Sequence, residues 1–285
     1  MAKQQWTEHP RVIAIRTRSG AVDLVVRAAD NYRLHRTGRN ATLVAHFGFL
    51  SVFPLFLVLT TVLGFVLQNH PDLQDSIIDS AFSQIPIIGQ QLGTAPGELE
   101  GSTFAFVFGL LLALWAGMKA FNALQIALDD IAEVPRDERP TLVRVRIRSL
   151  LGIGIVGASQ IGTAVLTSFV GVGGVAGEFK FLFVVAAIVV NSAALIATFR
   201  WLCVREQSWR QLAPGAITAG FLFAGLQVAG TAIVGRAIAN ASAVYGTFAT
   251  VIGLITWLGL HSMVALLGAE LNHALPARRY RPPEA

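Results

Sequence analysis

Charged residues are scarce in this chain. Asp, Glu, Lys and Arg make up 14% of its 285 residues, whereas 54% are hydrophobic. Soluble globular domains carry about 25% charged residues, so this composition excludes a soluble globule as the main part of the chain. Cysteine is almost absent: Cys203 is the only one, which excludes an intrachain disulfide and a cysteine metal cluster.

The motifs of common catalytic sites are also missing. No His or acidic pair has a zinc-ligand spacing such as HExxH, and no Ser, His and Asp can be grouped into a hydrolase triad. Gly152–Gly157 matches the dinucleotide fingerprint in letters, but it lies within an apolar run rather than between a strand and a helix. We therefore predict that the protein is not an enzyme and holds neither a metal nor a cofactor.

Long apolar runs, in contrast, are abundant. The six runs are Ala41–Leu67, Phe104–Leu128, Leu150–Val170, Phe181–Val204, Leu212–Ile238 and Val244–Leu271. A helix rises about 1.5 Å per residue, so ~20 apolar residues cross a ~30 Å hydrocarbon core. The runs lack the alternation of barrel strands. They predict an all-α fold, a polytopic transmembrane helical bundle with six spans.

Basic residues alternate with these runs. Counting Lys and Arg, eight precede the first run, five lie between positions 136 and 148, three lie near or just after the end of the fourth run, and three close the chain. None lies between Gln68 and Thr103, and only Lys180 and Arg236 break the pattern. The positive-inside rule then places both termini in the cytoplasm. The predicted partners are membrane lipids, especially anionic inner-leaflet headgroups, and not nucleic acid. These patterns do not decide between a monomer and a homo-oligomer.

The runs divide the chain into three regions. Residues 1–40 are predicted to be a cytoplasmic N-terminal segment with an amphipathic helix, which either lies on the inner leaflet or packs on the bundle. Its apolar stripe is Val22, Val25, Ala29 and Tyr32. Residues 41–275 form the transmembrane domain, with an outer-surface helix near residues 71–89. Residues 276–285 form a basic cytoplasmic tail.

A lysine lies about midway along the second run. Lys119 at this depth costs about 2.5–3.5 kcal/mol on insertion scales, so it should face protein or water, or reach toward the interface. Trp115, Asn122 and Asp129 share its helical face, with Gln125 at the edge. Together with polar groups of other runs they could line a polar cavity. Taken singly, each amide or hydroxyl is equally compatible with a hydrogen bond between helices.

An acid ends the last run. Glu270 lies where the helix macrodipole disfavours a negative charge, so a cationic partner is expected, with Lys119, Arg278 and the arginines of the second connection as candidates. His46 and His261 are either proton carriers or packing residues. The predicted substrate-binding set is Lys119, Asn122, Gln125, Glu270, His261 and His46.

Three stretches resemble the YihY/virulence factor BrkB family of bacterial inner-membrane proteins, and its YhjD-like members most. The strongest is Tyr245–Leu275, which reads YGTFATVIGLITWLGLHSMVALLGAELNHAL; LSVFPLFL at Leu50–Leu57 and the exit of the second run, Trp115–Pro135, are similar too. The motif residues are Ser51, Pro54, Trp115, Tyr245, Gly246, Trp257, Gly268 and Asn272. His46 and Phe47 stand where the family often has an aromatic pair.

The resemblance implies a six-helix integral membrane fold and transfers no catalytic residue. Members have been linked to envelope lipid traffic, and some carry a ribonuclease label that this composition does not support. We predict a transporter or flippase-like protein for an anionic or lipidic envelope component, in which Lys119 pairs with the charge of the substrate and Glu270 sets its position or protonation. The alternative is a non-catalytic scaffold that organises envelope proteins through the basic cytoplasmic face at Arg136–Arg148.

Overall fold

The computed structural model describes residues 10–66, 103–172, 177–245 and 248–276. Within these ranges every regular element is helical, as predicted, including a short 3-10 turn at Arg136–Glu138. The α-helices are α1 (Pro10–Arg18), α2 (Gly20–Leu34), α3 (Thr37–Val66), α4 (Thr103–Ile131), α5 (Leu142–Val172), α6 (Gly177–Leu202), α7 (Trp209–Tyr245) and α8 (Phe248–Ala274).

The six long helices α3 to α8 coincide with the six apolar runs. Three of them contain a described segment that is long and apolar enough to cross a membrane: Val107–Ile131, Val184–Leu202 and Val251–Ala274. Helix α5 begins at Leu142, within the basic connection and ahead of the predicted start. The predicted outer-surface helix near residues 71–89, and all of the tail after residue 276, lie outside the described residues.

The N-terminal segment forms two helices, and α2 packs on α8 through a buried polar contact. Asp23 is fully buried between Arg16, at 2.8 Å, and Arg27, at 3.2 Å. Arg27 also donates to the carbonyl of Ala274 at the end of α8, at 2.9 Å. The opposite side of α2 is apolar and outward: Val25 of the predicted stripe is 65% exposed. The helix is thus docked on the bundle, and its contact with the inner leaflet stays a prediction.

The core lies at one end of the bundle. It gathers residues from the beginning of α3 and α7 and from the end of α4, α6 and α8. Its members include Ala41, Leu128, Ile131, Phe199, Leu202, Leu212, Leu266 and Ala269. Because antiparallel neighbours alternate in direction, these termini meet at the same end, and the short connections between them converge there.

Helices α7 and α8 approach closely at a pair of glycines. A methyl group built on Gly215 would lie 1.9 Å from the carbonyl oxygen of Gly268. Small residues allow such backbone contact between helices in lipid. Farther along α7, a methyl group on Gly220 would lie 2.2 Å from the hydroxyl of Ser192 on α6. These glycines therefore serve close packing at both contacts.

The glycine pattern at Gly152–Gly157 lies inside α5, not between a strand and a helix. Gly152 is buried, and a methyl group there would lie 2.5 Å from the ring of Phe121 on α4. A nucleotide-binding turn needs a loop whose backbone N–H groups are free, whereas in α5 these groups belong to a continuous helix. Gly152 is therefore a packing residue, whereas a methyl group on Gly154 or Gly157 would meet nothing within 4 Å.

Candidate functional site

A buried carboxylate in the last turns of α8 organises the end of the bundle. Glu270 is fully buried. Both of its oxygens lie 3.1 Å from Nδ1 of His35, and the hydroxyl of Thr37 donates to one of them. A charge taken out of water is costly unless it is paired and hydrogen-bonded. His35 and Thr37 supply both requirements.

The turn between α2 and α3 places these two partners on the same carboxylate. His35 follows the last residue of α2, and its backbone N–H bonds to the carbonyl of Asn31 at 2.8 Å. Arg36 then adopts a left-handed backbone with φ 54°, and Thr37 begins α3. The sharp reversal at Arg36 lets the side chains on either side of it point to Glu270.

The carboxylate also changes the proton affinity of its neighbours. Its hydrogen bond and negative charge raise the pKa of His35 above the ordinary value, although burial of the ring acts in the opposite direction. Burial, and secondarily the charge of Glu270, raises the pKa of Tyr32 as well. Both groups lie before α3, outside the apolar segments.

A second carboxylate faces the other side of the His35 ring. Nε2 of His35 lies 3.7 Å from Glu133, and Nε2 of His273 lies 3.9 Å from the same oxygen. The two imidazoles meet edge to face, with their centroids 5.4 Å apart. Glu133 has a left-handed backbone, φ 53°, just beyond the end of α4. Left-handed non-glycine residues are uncommon, and among the described residues they are Arg36 and Glu133, both at this cluster.

The neighbouring acids Asp129 and Asp130 hold the connections in place. Asp129 is buried and accepts a hydrogen bond from the backbone N–H of Val204, which follows α6, at 2.9 Å. Asp130 accepts from Arg139 at 2.7 Å and from the side chain of Asn40 at 3.3 Å. These acids tie the α6–α7 and α4–α5 connections to α4.

The residues of the predicted polar face of α4 differ in exposure and do not line a single cavity. Trp115 is 51% exposed and Lys119 is exposed as well, whereas Asn122 is half-buried and Gln125 and Asp129 are buried. Both polar atoms of the Gln125 side chain are buried without a hydrogen-bond partner among the described residues. The face therefore runs from the outside of the bundle into its core.

Lys119 lies at the centre of an apolar segment. It is twelve residues from either end of Val107–Ile131, which corresponds to about 18 Å of helix on each side. Around it the exposed residues of the helix are apolar, including Phe108, Leu111 and Ile126. Glu270, one of whose predicted partners was Lys119, instead bonds His35 and Thr37. The role of Lys119 in binding a substrate stays a prediction.

The two predicted histidines have different surroundings. Nδ1 of His261 lies 3.0 Å from the carbonyl of Trp257, and its ring stacks on Phe223 at 5.2 Å. This arrangement favours the packing interpretation over proton transport. His46 is exposed on α3 and touches Phe47.

Three of the motif residues, Ser51, Pro54 and Trp257, lie within the bundle. Ser51 donates to the carbonyl of Gly48 at 2.7 Å, Pro54 is buried within α3, and Trp257 is buried in α8. The signature segment of α8 serves two contacts at once: Gly268 and Asn272 face α7, while Glu270 faces His35. Tyr245 ends α7, and Gly246 lies outside the described residues.

Sequence reasoning did not include His35, Thr37, Glu133 or His273 in the site. They come from three distant parts of the chain and have no recognisable spacing. One signal was available: the unfavourable acid at the end of α8 required a cation at the same end of the bundle, and His35 and His273 both lie there.

Comparison with known proteins places the chain among membrane proteins. The model of the family described as Virulence factor BrkB matches residues 28–285. A putative ribonuclease-like protein, YfkH of Bacillus subtilis, is 29% identical over 281 residues, covering 90% of this chain and 96% of that protein. A UPF0761 membrane protein of Nitrosospira multiformis is 29% identical over 214 residues, covering 73% and 48%.

A third relative is the inner membrane protein YhjD of Escherichia coli, which is 27% identical over 107 residues, or 36% of this chain and 32% of that protein. No solved structure matches the chain significantly. The names of the relatives and the three apolar segments both indicate a membrane protein. The resemblance predicted from the sequence motifs is confirmed.

Proposed function

The chain belongs to the virulence factor BrkB family of membrane proteins, and we propose that it is a transporter or flippase-like protein that moves an anionic or lipidic envelope component. The observation that carries this proposal is Lys119, a cationic side chain exposed at the centre of an apolar segment. The proposed process is movement across the bilayer, with no chemical step on the substrate.

The proposed setting is the bacterial cytoplasmic membrane, crossed six times by α3 to α8. At this end of the bundle, Arg39 lies in the first turn of α3 and Arg139 and Arg205 lie in the connections, and the chain has no Lys or Arg between positions 68 and 103. Cytoplasmic connections are enriched in Lys and Arg. On this basis the end of the bundle that holds Glu270 faces the cytoplasm, together with both termini.

The depth of Lys119 is the reason to expect an anionic substrate. A lysine side chain is much shorter than the ~18 Å that separates it from either end of the segment. An ammonium group in contact with hydrocarbon alone costs about 2.5–3.5 kcal/mol or more. An anionic headgroup that passes this point removes the penalty, because it brings both a counter-charge and water.

The surroundings of Lys119 favour a substrate with acyl chains. Trp115, one turn away, is exposed, and the other exposed residues of the segment include Phe108, Leu111 and Leu112. Such a surface offers one charged contact within an apolar track. Glu270 has its carboxylate occupied by His35 and Thr37, so in this arrangement it positions the helix ends rather than the substrate.

The proposal is tested by lipid movement in reconstituted vesicles. Phosphatidylglycerol with a fluorescent acyl chain is followed by bleaching with a membrane-impermeant reductant, with phosphatidylcholine as the zwitterionic comparison. We expect the wild type to move the anionic lipid faster, Lys119→Ala to lower its rate at least tenfold, and Lys119→Arg to retain it. Ile126→Ala, an exposed apolar change on the same helix, is the matched control. Equal rates for wild type and Lys119→Ala would reject the site.

The second candidate is a scaffold, and it is favoured by the exposed arginines of the α4–α5 connection and the start of α5. Arg136, Arg144 and Arg146 are all exposed. Such a cluster could bind acidic surfaces of other envelope proteins. If charge reversal of these arginines abolishes co-purification of such proteins while Lys119→Ala has no effect on lipid movement, the scaffold replaces the transporter.

A further inference from the structure

Three potential metal ligands converge at the cluster beside Glu270. The Nε2 atoms of His35 and His273 lie 3.7 and 3.9 Å from one oxygen of Glu133, and all three ligand atoms lie within 4.8 Å of one another. In a tetrahedral zinc site with bonds of 2.0–2.1 Å, neighbouring ligand atoms are about 3.3 Å apart. At such a site the two contacts of Glu133 would shorten by about 0.4–0.6 Å and the longest of the three separations by up to about 1.5 Å. Glu133 and His273 are accessible enough to move.

The buried imidazole of His35 also indicates a metal at this position. Its side chain is 6% exposed, and Nε2 is buried without a hydrogen-bond partner among the described residues. A metal ion would bind the neutral ring: the Glu270 carboxylate accepts the proton on Nδ1, and the lone pair of Nε2, which faces Glu133, is then the ligand in place of a second proton. A buried, unpaired nitrogen is costly, and a cation at this point satisfies it.

The contact between Glu270 and His35 follows a recurrent pattern of metal sites. Histidines that bind metals nearly always donate their other N–H to a carboxylate or carbonyl, which fixes the ring and makes the ligand more basic. Here Glu270 fills that supporting position at 3.1 Å, and Thr37 in turn fixes Glu270.

We propose, against the expectation from the sequence motifs, that His35, Glu133 and His273 form a binding site for a divalent transition-metal ion such as Zn²⁺. Two imidazoles and one carboxylate are a ligand set suited to zinc and leave a fourth position for water. The carboxylates of Glu133 and Glu270 balance the charge of the ion. The ion joins the α2–α3 turn, the end of α4 and the end of α8. This site is separate from Lys119 and does not depend on the proposed transport.

The test is Zn²⁺ binding to the full-length protein in detergent, measured by calorimetry after removal of metals by a chelator. We expect one site per chain in the wild type, with affinity lowered at least tenfold in both His273→Ala and Glu133→Gln. Glu270→Gln should weaken binding 10- to 100-fold, as for other carboxylates that support a metal-binding histidine. His46→Ala removes an exposed histidine away from the site and should leave the affinity unchanged.

Thermal unfolding of each variant distinguishes loss of the site from loss of the fold. Zn²⁺ should raise the unfolding temperature of the wild type and of His46→Ala, and at the same concentration should raise that of folded Glu133→Gln less. If Zn²⁺ does not bind the wild type, or binds His273→Ala and Glu133→Gln with wild-type affinity, the site is wrong. Neither result alters the lipid assay on Lys119, so the two proposals fail separately.

Discussion

The side-chain oxygen of Asn272 accepts a hydrogen bond from the backbone N–H of Gly215 at 2.7 Å. The amide nitrogen of the same side chain donates to the carbonyl of Leu212 at 2.9 Å. One residue of α8 thus satisfies a donor and an acceptor near the start of α7, next to Pro214, which has no N–H of its own. These two hydrogen bonds fix the position of α8 relative to α7 along the helix axes.

Replacement of Asn272 by Ala should destabilise the protein. The change removes two hydrogen bonds at a buried helix contact, each worth about 0.5–1.5 kcal/mol. The free energy of unfolding can be measured by denaturant titration in mixed micelles. Asn272→Asp keeps an acceptor for Gly215 and loses the donor to Leu212, so we expect an intermediate value. Wild-type stability in Asn272→Ala would show that the hydrogen bonds do not hold α7 against α8.

Gly215→Ala should also destabilise the protein, and Gly225→Ala should not. The added methyl group at Gly215 would lie 1.9 Å from the Gly268 carbonyl oxygen, whereas at Gly225 nothing lies within 4 Å. Overpacking of this kind costs about 1–3 kcal/mol, while Ala in an open helical position adds up to ~1 kcal/mol of stability. Thermal unfolding of the two variants in the same detergent should shift in opposite directions. Equal shifts would contradict the observed helix contact.

Arg36→Gly should stabilise the fold. The left-handed backbone at Arg36, φ 54°, costs a non-glycine residue about 1–2 kcal/mol, a penalty that glycine avoids. Arg39→Gly is the matched control, since it removes the same charge three residues later within α3, where glycine is destabilising by up to ~1 kcal/mol. Chemical unfolding curves give both values. A loss of stability in Arg36→Gly would mean that its side chain matters more than its backbone.

Cys203 should react very slowly with thiol reagents. Burial raises its pKa to about 11, so at pH 8 only ~0.1% is thiolate, roughly 200-fold less than for an ordinary cysteine of pKa ~8.5. The thiolate fraction of folded Cys203 rises about tenfold per pH unit up to pH 11, because its pKa is about 11. In the unfolded chain the rise ends near the ordinary pKa of ~8.5. Iodoacetamide labelling followed by mass spectrometry measures this rate.

Two controls belong to the Cys203 experiment. The chain unfolded in dodecyl sulfate should react at the ordinary rate, and Cys203→Ser with Ser208→Cys places the single thiol at an exposed position. Rapid labelling of native Cys203 at pH 8 would show that the α6–α7 connection opens readily.

Much of the fold follows from local sequence patterns. Each apolar run, from Ala41–Leu67 to Val244–Leu271, corresponds to a long helix, because continuous hydrophobicity over more than twenty residues has few other solutions. Gly268 and Asn272 stood out as a motif, but their partners Gly215 and Leu212 could not be inferred, because residues nearly sixty positions apart meet only after two helices have packed.

The candidate site was predictable only in part. The position of Glu270 predicted a cationic partner, and the structure supplies His35. The sequence offered many arginines at the same level, and no local spacing distinguishes a histidine beyond the end of α2 from them. Glu133 could not be predicted for a different reason. The direction of its side chain depends on a left-handed backbone just beyond the end of α4, which residue type alone does not predict.

The central claim is that Lys119 binds the anionic group of an envelope lipid or metabolite. Mass spectrometry of the molecules retained by the protein in native nanodiscs, beside Lys119→Ala, tests it most directly. If Lys119 binds the substrate, we expect an anionic lipid or metabolite to be enriched on the wild type and on the Ile126→Ala control, and to be lost from Lys119→Ala. Identical bulk lipid on wild type and Lys119→Ala would contradict it.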